Sequence, residues 1–208
     1  MSTSRLPRTY FDELYARSAD PWEFTTRWYE QRKRALTLAA LPRARYRRAF
    51  EPGCGIGVLT AELATRCDSI VATDIVEDAL RTAADRLGET VDSGAVQLRR
   101  WGLGDDWPPD TFDLVVLSEV CYYLDAASLH SALDELLAHL DPDGTVICVH
   151  WRHHVPEYPL TGDRVHAILA AHPGFSVTAR YHDEDFLLEV FAPLPSDLRS
   201  IAQREGLV

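Results

Sequence analysis

The segment FEPGCGIG, residues 50–57, decides the fold of this chain of 208 residues. Glycine alternates with another residue at Gly53, Gly55 and Gly57, directly after a short strand-like run and before the helix-like stretch GVLTAELATRC. Glycines at such a point let the backbone turn sharply and approach a ligand closely. The first turn of the following helix offers N–H groups that have no partner inside the helix. The segment therefore predicts a strand, a ligand-binding loop and a helix.

The spacing of the glycines separates two kinds of ligand. A dinucleotide fingerprint needs its third glycine three residues after the second, and the two possible registers place Val58 or Thr60 there. A pyrophosphate-binding loop is therefore not predicted. The pattern Glu-x-Gly-x-Gly-x-Gly, which starts at Glu51, is similar to the first motif of Rossmann-like S-adenosylmethionine (SAM) methyltransferases. That similarity implies a loop, including Pro52, that faces the methionine part of SAM, with Glu51 near its amino group.

Strand-like and helix-like patterns alternate along the chain. Strands are predicted at 48–51, 69–74, 95–99, 112–119 and 145–150, and helices at 57–67, 77–87 and 128–140, with a turn at 141–144. A helix at 164–171 and two consecutive strands, 175–182 and 185–192, close the chain and predict a terminal hairpin. The predicted fold is α/β: a single Rossmann-like domain with a mostly parallel seven-stranded sheet, an antiparallel terminal hairpin strand and helices on both faces. Residues 1–45 are predicted to form an N-terminal helical cap on the core, residues 46–208.

Asp74 ends the second predicted strand, 17 residues after Gly57. At about this distance an acidic side chain accepts hydrogen bonds from both ribose hydroxyls of a bound nucleotide and disfavours a 2′-phosphate. Asp74 is therefore predicted to hold the ribose of the ligand.

The composition of the chain limits the kinds of binding partner that we expect. The formal net charge of −11 argues against nucleic acid or an anionic membrane as a partner. Four cysteines occur singly, without metal-ligand spacing, so no metal site is predicted. No apolar run reaches the roughly 20 residues that cross a bilayer, and the first residues carry no signal-peptide core. We therefore expect a cytoplasmic protein with a small-molecule partner, as a monomer or a homodimer.

Four stretches of the chain resemble the NodS-like methyltransferases, a group that includes an N-methyltransferase of the amino sugar in a chitin-type oligosaccharide. They are DPWEFTTRWYEQRKRALTLAALP, EPGCGIGVLTAELA, FDLVVLSEVCYYL and VHWRHHVPEYPLTGDRVHAIL. The resemblance implies SAM as cofactor, S-adenosylhomocysteine as product and a small-molecule acceptor, with an amine expected before an oxygen. It also implies that Arg32 meets the methionine carboxylate and that Trp22 lies in a segment covering the cofactor.

One position departs from the pattern of the SAM methyltransferases. An aspartate that faces the adenine amino group commonly follows the third strand in these enzymes, and Gly102 stands at that position here. We therefore expect backbone groups around Trp101–Leu103 and the apolar side chain of Ile75 to hold the adenine. Asp105 is the alternative if the loop is shifted.

Candidates for the acceptor side follow the fourth and fifth strands, whose carboxyl ends lie beside the cofactor in a doubly wound sheet. Ser118 is expected to face the cofactor, and Glu119 to hold or deprotonate an amine, unless it only caps the next helix. Tyr122 is expected to line the pocket. His150 and His153 are candidates for a general base; a metal role for them is not favoured, because adjacent side chains of an extended segment alternate in direction.

Two further functions fit the same fold. A nicotinamide-dependent oxidoreductase uses a related sheet, although the glycine spacing disagrees with it. A SAM-binding module without turnover fits the loop alone.

Overall fold

A seven-stranded sheet forms the centre of the computed structural model, which describes residues 5–107, 109–195 and 199–208. Its strands are β1 Tyr46–Pro52, β2 Cys67–Asp74, β3 Val96–Arg100, β4 Phe112–Ser118, β5 Leu140–Trp151, β6 Phe175–His182 and β7 Phe186–Pro193. Their order is β3-β2-β1-β4-β5-β7-β6. Strands β1 to β5 pair in parallel, and β7 runs antiparallel to both β5 and β6. The predicted sheet with its terminal hairpin is confirmed.

Helices connect and flank the strands. They are α1 Arg8–Arg17, α2 Trp28–Ala40, α3 Val58–Leu63, α4 Glu77–Leu87, α5 Glu89–Asp92, α6 Ala126–His139, α7 Gly162–Ala171 and α8 Ile201–Arg204, with a 3₁₀ turn at Cys121–Tyr123. Helices α1 and α2 lie in the segment predicted as a cap, of which residues 1–4 are outside the described part. Within the described residues, none of the helices combines the length and the apolar character that crossing a membrane requires.

Alternating side chains of the central strands pack on opposite faces of the sheet. Val115 and Leu117 of β4 belong to one buried apolar cluster, and Leu114 and Val116 belong to another. All four are fully buried, as expected for a parallel strand covered by helices on both sides. The apolar run FDLVVLS therefore fixes β4 in the middle of the sheet.

The turn predicted at residues 141–144 is wrong in its placement, because these residues belong to β5. Phe112 pairs with Leu140 and Leu114 pairs with Thr145, so Asp113 alone stands opposite four residues. The turn sequence DPDG thus produces a large irregularity inside the strand pairing. A Cβ on Gly144 would lie 2.6 Å from the Leu140 side chain, so this irregularity requires glycine.

The strand order places the ligand-binding edge. Strand β1 lies between β2 and β4, and the chain changes direction across the sheet at that point. Ligands bind in doubly wound sheets at such a switch point, beyond the carboxyl ends of the strands. The loops that leave β1 and β4 both open onto this edge.

Candidate functional site

A cavity of about 610 Å³ lies at the carboxyl ends of the central strands. That volume is in the range of small-molecule sites. Loops after β1 to β5 contribute to its lining, and so do residues of the segment that precedes β1. Because β1 is central, the ends of β2 and β3 form one half of the cavity and the ends of β4 and β5 form the other. The first is called the nucleoside half and the second the acceptor half, after the ligands predicted there.

The glycine loop has the backbone that its sequence predicts. Gly53, Gly55 and Gly57 all have positive φ values, of 73°, 54° and 75°, where side chains with a Cβ are strained. Gly53 and Gly55 line the cavity, whereas Gly57 and Pro52 do not. A Cβ on Gly57 would lie 3.0 Å from the Cβ of Ala83. Gly57 therefore serves the packing of α3 on α4.

Glu51 brings a buried carboxylate into the cavity wall. The residue is 3% exposed, and its Oε2 atom has no hydrogen-bond partner in the described protein. Burial raises the pKa of Glu51 to about 8. A buried acceptor without a partner lowers the free energy of unfolding. A ligand with a hydrogen-bond donor at this position would remove that cost.

Asp74 connects the loops that follow β1 and β2, in the nucleoside half of the cavity. Its Oδ2 accepts a hydrogen bond from the N–H of Gly55 at 3.0 Å, and its Oδ1 accepts one from the N–H of Val76 at 2.9 Å. Burial raises its pKa, against these hydrogen bonds. The residue lines the cavity, and its contact with a ribose stays a prediction.

Residues expected at the adenine line the same half. Ile75, Trp101, Gly102 and Leu103 all face the cavity. A Cβ on Gly102 would come within 2.4 Å of Ile75 Cγ2, so an aspartate cannot occupy this position without displacing Ile75. Asp105 is absent from the lining and accepts hydrogen bonds from the Gly102 N–H and from Arg5. Its position does not support the alternative role at the adenine.

The two residues predicted to contact the cofactor from the segment before β1 differ in their position relative to the cavity. Trp22 lines the cavity, in contact with the rings of Tyr15 and Phe24. Arg32 does not line it, because its guanidinium pairs with Asp183 at 2.9 Å at the far hairpin. The predicted contact of Arg32 with a methionine carboxylate therefore lacks structural support.

Arg34, two residues further along α2, does line the cavity. Its Nη1 donates to the carbonyl of Phe24 at 2.9 Å, and its Nε pairs with Glu62 at 2.8 Å. This arginine is half a helical turn from Arg32 and points to the other side of α2.

The acceptor half contains an ion-paired cluster that sequence reasoning found only in part. Ser118, Glu119 and Tyr122 line the cavity as predicted. Glu119 Oε1 lies 2.5 Å from Lys33 Nζ, and Lys33 also binds Glu30 Oε1 at 3.0 Å. Glu119 takes a φ of 55°, a strained value outside glycine.

Glu30 and Lys33 were not predicted. They stand in the charged stretch RWYEQRKR. The sequence alone does not separate them from the other charged residues of this stretch, because the difference is the face of α2 on which they lie. Lys33 is 4% exposed and Glu30 is 7% exposed. Burial disfavours the charge of Lys33, but Glu119 and Glu30 together hold its pKa above the usual value. The helical spacing of three residues is the signal that would have grouped this pair.

Neither of the two histidines predicted as bases is among the residues that line the cavity. His150 is fully buried, and its Nε2 accepts a hydrogen bond from the N–H of Cys121 at 3.1 Å. Burial lowers its pKa well below the usual value. His153 is exposed and pairs with Asp185 at 2.9 Å. Alternation along β5 turns Trp151, and not His150, into the cavity, so the general-base role of His150 lacks structural support. His153 does not line the cavity either, although it contacts Trp151 and Asp185, which do.

Sequence spacing also missed a cluster of possible metal ligands. Cys121, Cys148 and His150 bring ligand atoms within 4.8 Å of one another, all buried. The hydrogen bond from the Cys121 N–H already occupies His150 Nε2, and His150 Nδ1 faces His166 Nε2 at 3.4 Å. Both ring nitrogens of His150 therefore already have polar partners in the core.

A family model and several curated relatives match this chain. The model of the family described as Nodulation protein S (NodS) matches residues 11–158. Nodulation protein S of Bradyrhizobium diazoefficiens is 31% identical in an alignment of 146 residues, which covers 64% of this chain and 68% of that protein. The Rhizobium tropici protein of the same name is 29% identical, over 64% of this chain and 59% of its own length.

Two solved structures are also similar to this chain. A putative methyltransferase from Pseudomonas syringae is 46% identical, with a TM-score of 0.70 over 80% of this chain and 99% of that chain. The N-methyltransferase NodS from Bradyrhizobium japonicum WM9, in complex with S-adenosylhomocysteine, has a TM-score of 0.79 at 23% identity, over 89% and 97% of the two chains. At that identity the second likeness shows the fold.

Proposed function

The chain belongs to the Nodulation protein S family and is a SAM-dependent methyltransferase, and we propose that it transfers the methyl group to an amine nitrogen of a small molecule. Family membership removes the nicotinamide oxidoreductase considered above. The observation that carries the choice of an amine is the buried cluster of two carboxylates and one lysine in the acceptor half of the cavity. A phenol or an alcohol is the second candidate acceptor.

Residues of the nucleoside half fit SAM. The unpartnered Oε2 of Glu51 suits the cofactor's amino group, and Asp74 suits the two ribose hydroxyls. Ile75 and the backbone of residues 101–103 suit the adenine. We assign the carboxylate of the cofactor to Arg34, since Arg32 faces the hairpin.

The remaining proposed cofactor contacts follow from position. Trp22 and Ser118 both line the cavity, and Ser118 is the last residue of β4. SAM supplies an electrophilic methyl group on a positively charged sulfur that leaves as a neutral thioether. The protein therefore has no leaving group to protonate, and its main task is to align the acceptor, which is worth roughly 7–11 kcal/mol.

Charge in the acceptor half favours an amine. Glu30 and Glu119 carry two negative charges where Lys33 supplies one positive charge. A cationic ammonium group balances this excess, whereas a phenolate adds to it. The walls around the cluster are aromatic, with Tyr122 and Trp151 both facing the cavity.

Methyl transfer is tested with purified protein, labelled SAM and a panel of primary amines and phenols. We expect a product heavier than an amine by one methylene group, and S-adenosylhomocysteine in equal amount. A matched reaction with the Glu51→Gln variant should be much slower at low SAM. Methylation of phenols alone would contradict the amine assignment. The expected absence of a nucleic-acid partner, the cytoplasmic location and the monomeric or homodimeric state remain predictions.

A further inference from the structure

Two carboxylates share one lysine in the acceptor half of the cavity, and their oxygen atoms are used differently. Lys33 Nζ lies 2.5 Å from Glu119 Oε1 and 3.0 Å from Glu30 Oε1. All three residues line the cavity. Which carboxylate can receive an acceptor depends on the oxygen atoms that remain free.

Glu119 has little capacity left. Besides Lys33 on Oε1, its Oε2 accepts from the hydroxyl of Tyr122 at 2.5 Å and from the N–H of Trp151 at 2.9 Å. These three donors come from α2, the 3₁₀ turn and the end of β5. These donors occupy three of the roughly four acceptor positions of the carboxylate, so Glu119 mainly joins these three elements.

Glu30, unlike Glu119, has one carboxylate oxygen without a hydrogen-bond partner among the described residues. Its Oε1 binds Lys33, while no described residue makes a hydrogen bond or an ion pair with its Oε2. Burial raises the pKa of Glu30 above its usual value, against the effect of Lys33. A carboxylate with such a pKa is a better proton acceptor near neutral pH than an ordinary glutamate.

The adjacent Tyr29 gives a second, independent sign of a missing ligand. Its hydroxyl is buried without a hydrogen-bond partner, although its ring packs against Trp151 at 5.2 Å. The same ring lies 4.9 Å from Lys33 Nζ. Burial and the charges of Glu119 and Glu30 raise the pKa of Tyr29, so the hydroxyl stays protonated and retains lone pairs for a donor.

We propose that Glu30, and not Glu119, binds the acceptor's ammonium group and takes its proton, with the Tyr29 hydroxyl as a second contact; this inference rests on the proposed amine acceptor. One N–H bond of the ammonium breaks and one O–H bond forms on Glu30 Oε2. The nitrogen keeps the electron pair that it needs for attack on the methyl carbon. Lys33 and Glu119 keep their own ion pair throughout.

Neighbouring charges decide how this proton transfer depends on pH. Lys33 and Arg34 on α2 favour the ionised form of Glu30, and Glu119 at the end of β4 opposes it. Raising the pH through the titration of Glu30 therefore increases the fraction that can accept a proton. On the acid side of the pH profile, the wild-type rate should therefore increase with pH as Glu30 loses its proton.

The test compares Glu30→Gln with wild type, on benzylamine, tyramine and glucosamine as acceptors. Glutamine keeps an oxygen for Lys33 but cannot take a proton. We expect kcat/KM for the best amine to fall by about 100-fold or more, and the acid limb of the pH profile to disappear. Calorimetry should also show benzylamine binding to the S-adenosylhomocysteine complex about tenfold more weakly.

Two controls separate chemistry from folding. Asp78→Asn removes an exposed, ion-paired carboxylate on α4, outside the cavity, and should leave both readouts unchanged. S-adenosylhomocysteine binding should be equal in wild type and Glu30→Gln, which shows that the nucleoside half is intact. Glu30→Asp should recover part of the lost rate.

The outcomes distinguish the two proposals. Amine methylation by wild type with an unchanged rate and pH profile in Glu30→Gln would overturn the role of Glu30 and leave the proposed function standing. A wild-type protein that neither binds nor methylates any of the amines would overturn both.

Discussion

Replacing Glu51 with glutamine should change stability and cofactor binding in separable ways. The carboxyl pKa is raised to about 8 by burial, above the value in an unfolded chain. A carboxyl group with a raised pKa contributes full stability below the unfolded pKa, and this contribution is lost as the pH rises through the folded pKa. Between pH 5 and pH 8 the Glu51 carboxyl should therefore cost the free protein about 3 kcal/mol.

Glutamine has no such titration. The free energy of unfolding of Glu51→Gln, relative to wild type, should therefore rise by about 3 kcal/mol from pH 5 to pH 8. Any cost of burying the amide is the same at both pH values and cancels in this comparison. Urea unfolding of the ligand-free proteins at the two pH values gives the number.

Cofactor binding should respond in the opposite direction. A hydrogen bond to a charged partner is worth about 1.5–3 kcal/mol, so Glu51→Gln should bind S-adenosylhomocysteine roughly 10- to 150-fold more weakly. The ligand's ammonium group also lowers the pKa of Glu51 when it binds. Wild type should then release close to one proton per ligand at pH 7, and Glu51→Gln should release almost none.

Calorimetry in buffers of different ionisation enthalpy measures both the affinity and the proton release. An unchanged affinity together with unchanged proton release would refute the contact between Glu51 and the amino group. A stability difference that does not depend on pH would refute the raised pKa.

Three further changes test other parts of the structure. Asp74→Ala should weaken S-adenosylhomocysteine binding at least about tenfold, measured by calorimetry, and equal affinity would remove Asp74 from the ribose. Gly57→Ala should lower the free energy of unfolding by about 1–3 kcal/mol, because φ is 75° and the new Cβ would crowd Ala83; an unchanged urea midpoint would contradict this. His153→Ala should leave kcat/KM within about twofold, since His153 is exposed and pairs with Asp185; a large loss would restore the predicted base.

The strand–loop–helix unit could be predicted from sequence because its determinants are local. The positive φ values at Gly53, Gly55 and Gly57 need glycine whatever surrounds them, and the run FDLVVLS can be buried on both faces only inside a sheet. The hairpin of β6 and β7 followed from two strands with no helix between them. Local backbone chemistry thus fixed the nucleoside half of the cavity.

The acceptor half depends on contacts between distant segments. Lys33 and Glu119 are 86 positions apart and meet only after α2 packs over the end of β4. The direction of Arg32 depends on Asp183 in the hairpin, which no pattern near Arg32 announces. For His150, alternation along β5 could have shown that it and Trp151 face opposite sides. The turn predicted at 141–144 was misplaced because turn residues also occur at irregularities inside a strand.

The central claim is that the loop from Glu51 to Gly57 and the end of β2 hold the cofactor, and a crystal structure with S-adenosylhomocysteine bound tests it most directly. We expect the ligand's amino group within hydrogen-bond distance of Glu51, its ribose hydroxyls on Asp74 and its sulfur directed toward the cluster of Glu30, Lys33 and Glu119. Ligand density outside this cavity, or a ribose with no contact to Asp74, would contradict the account.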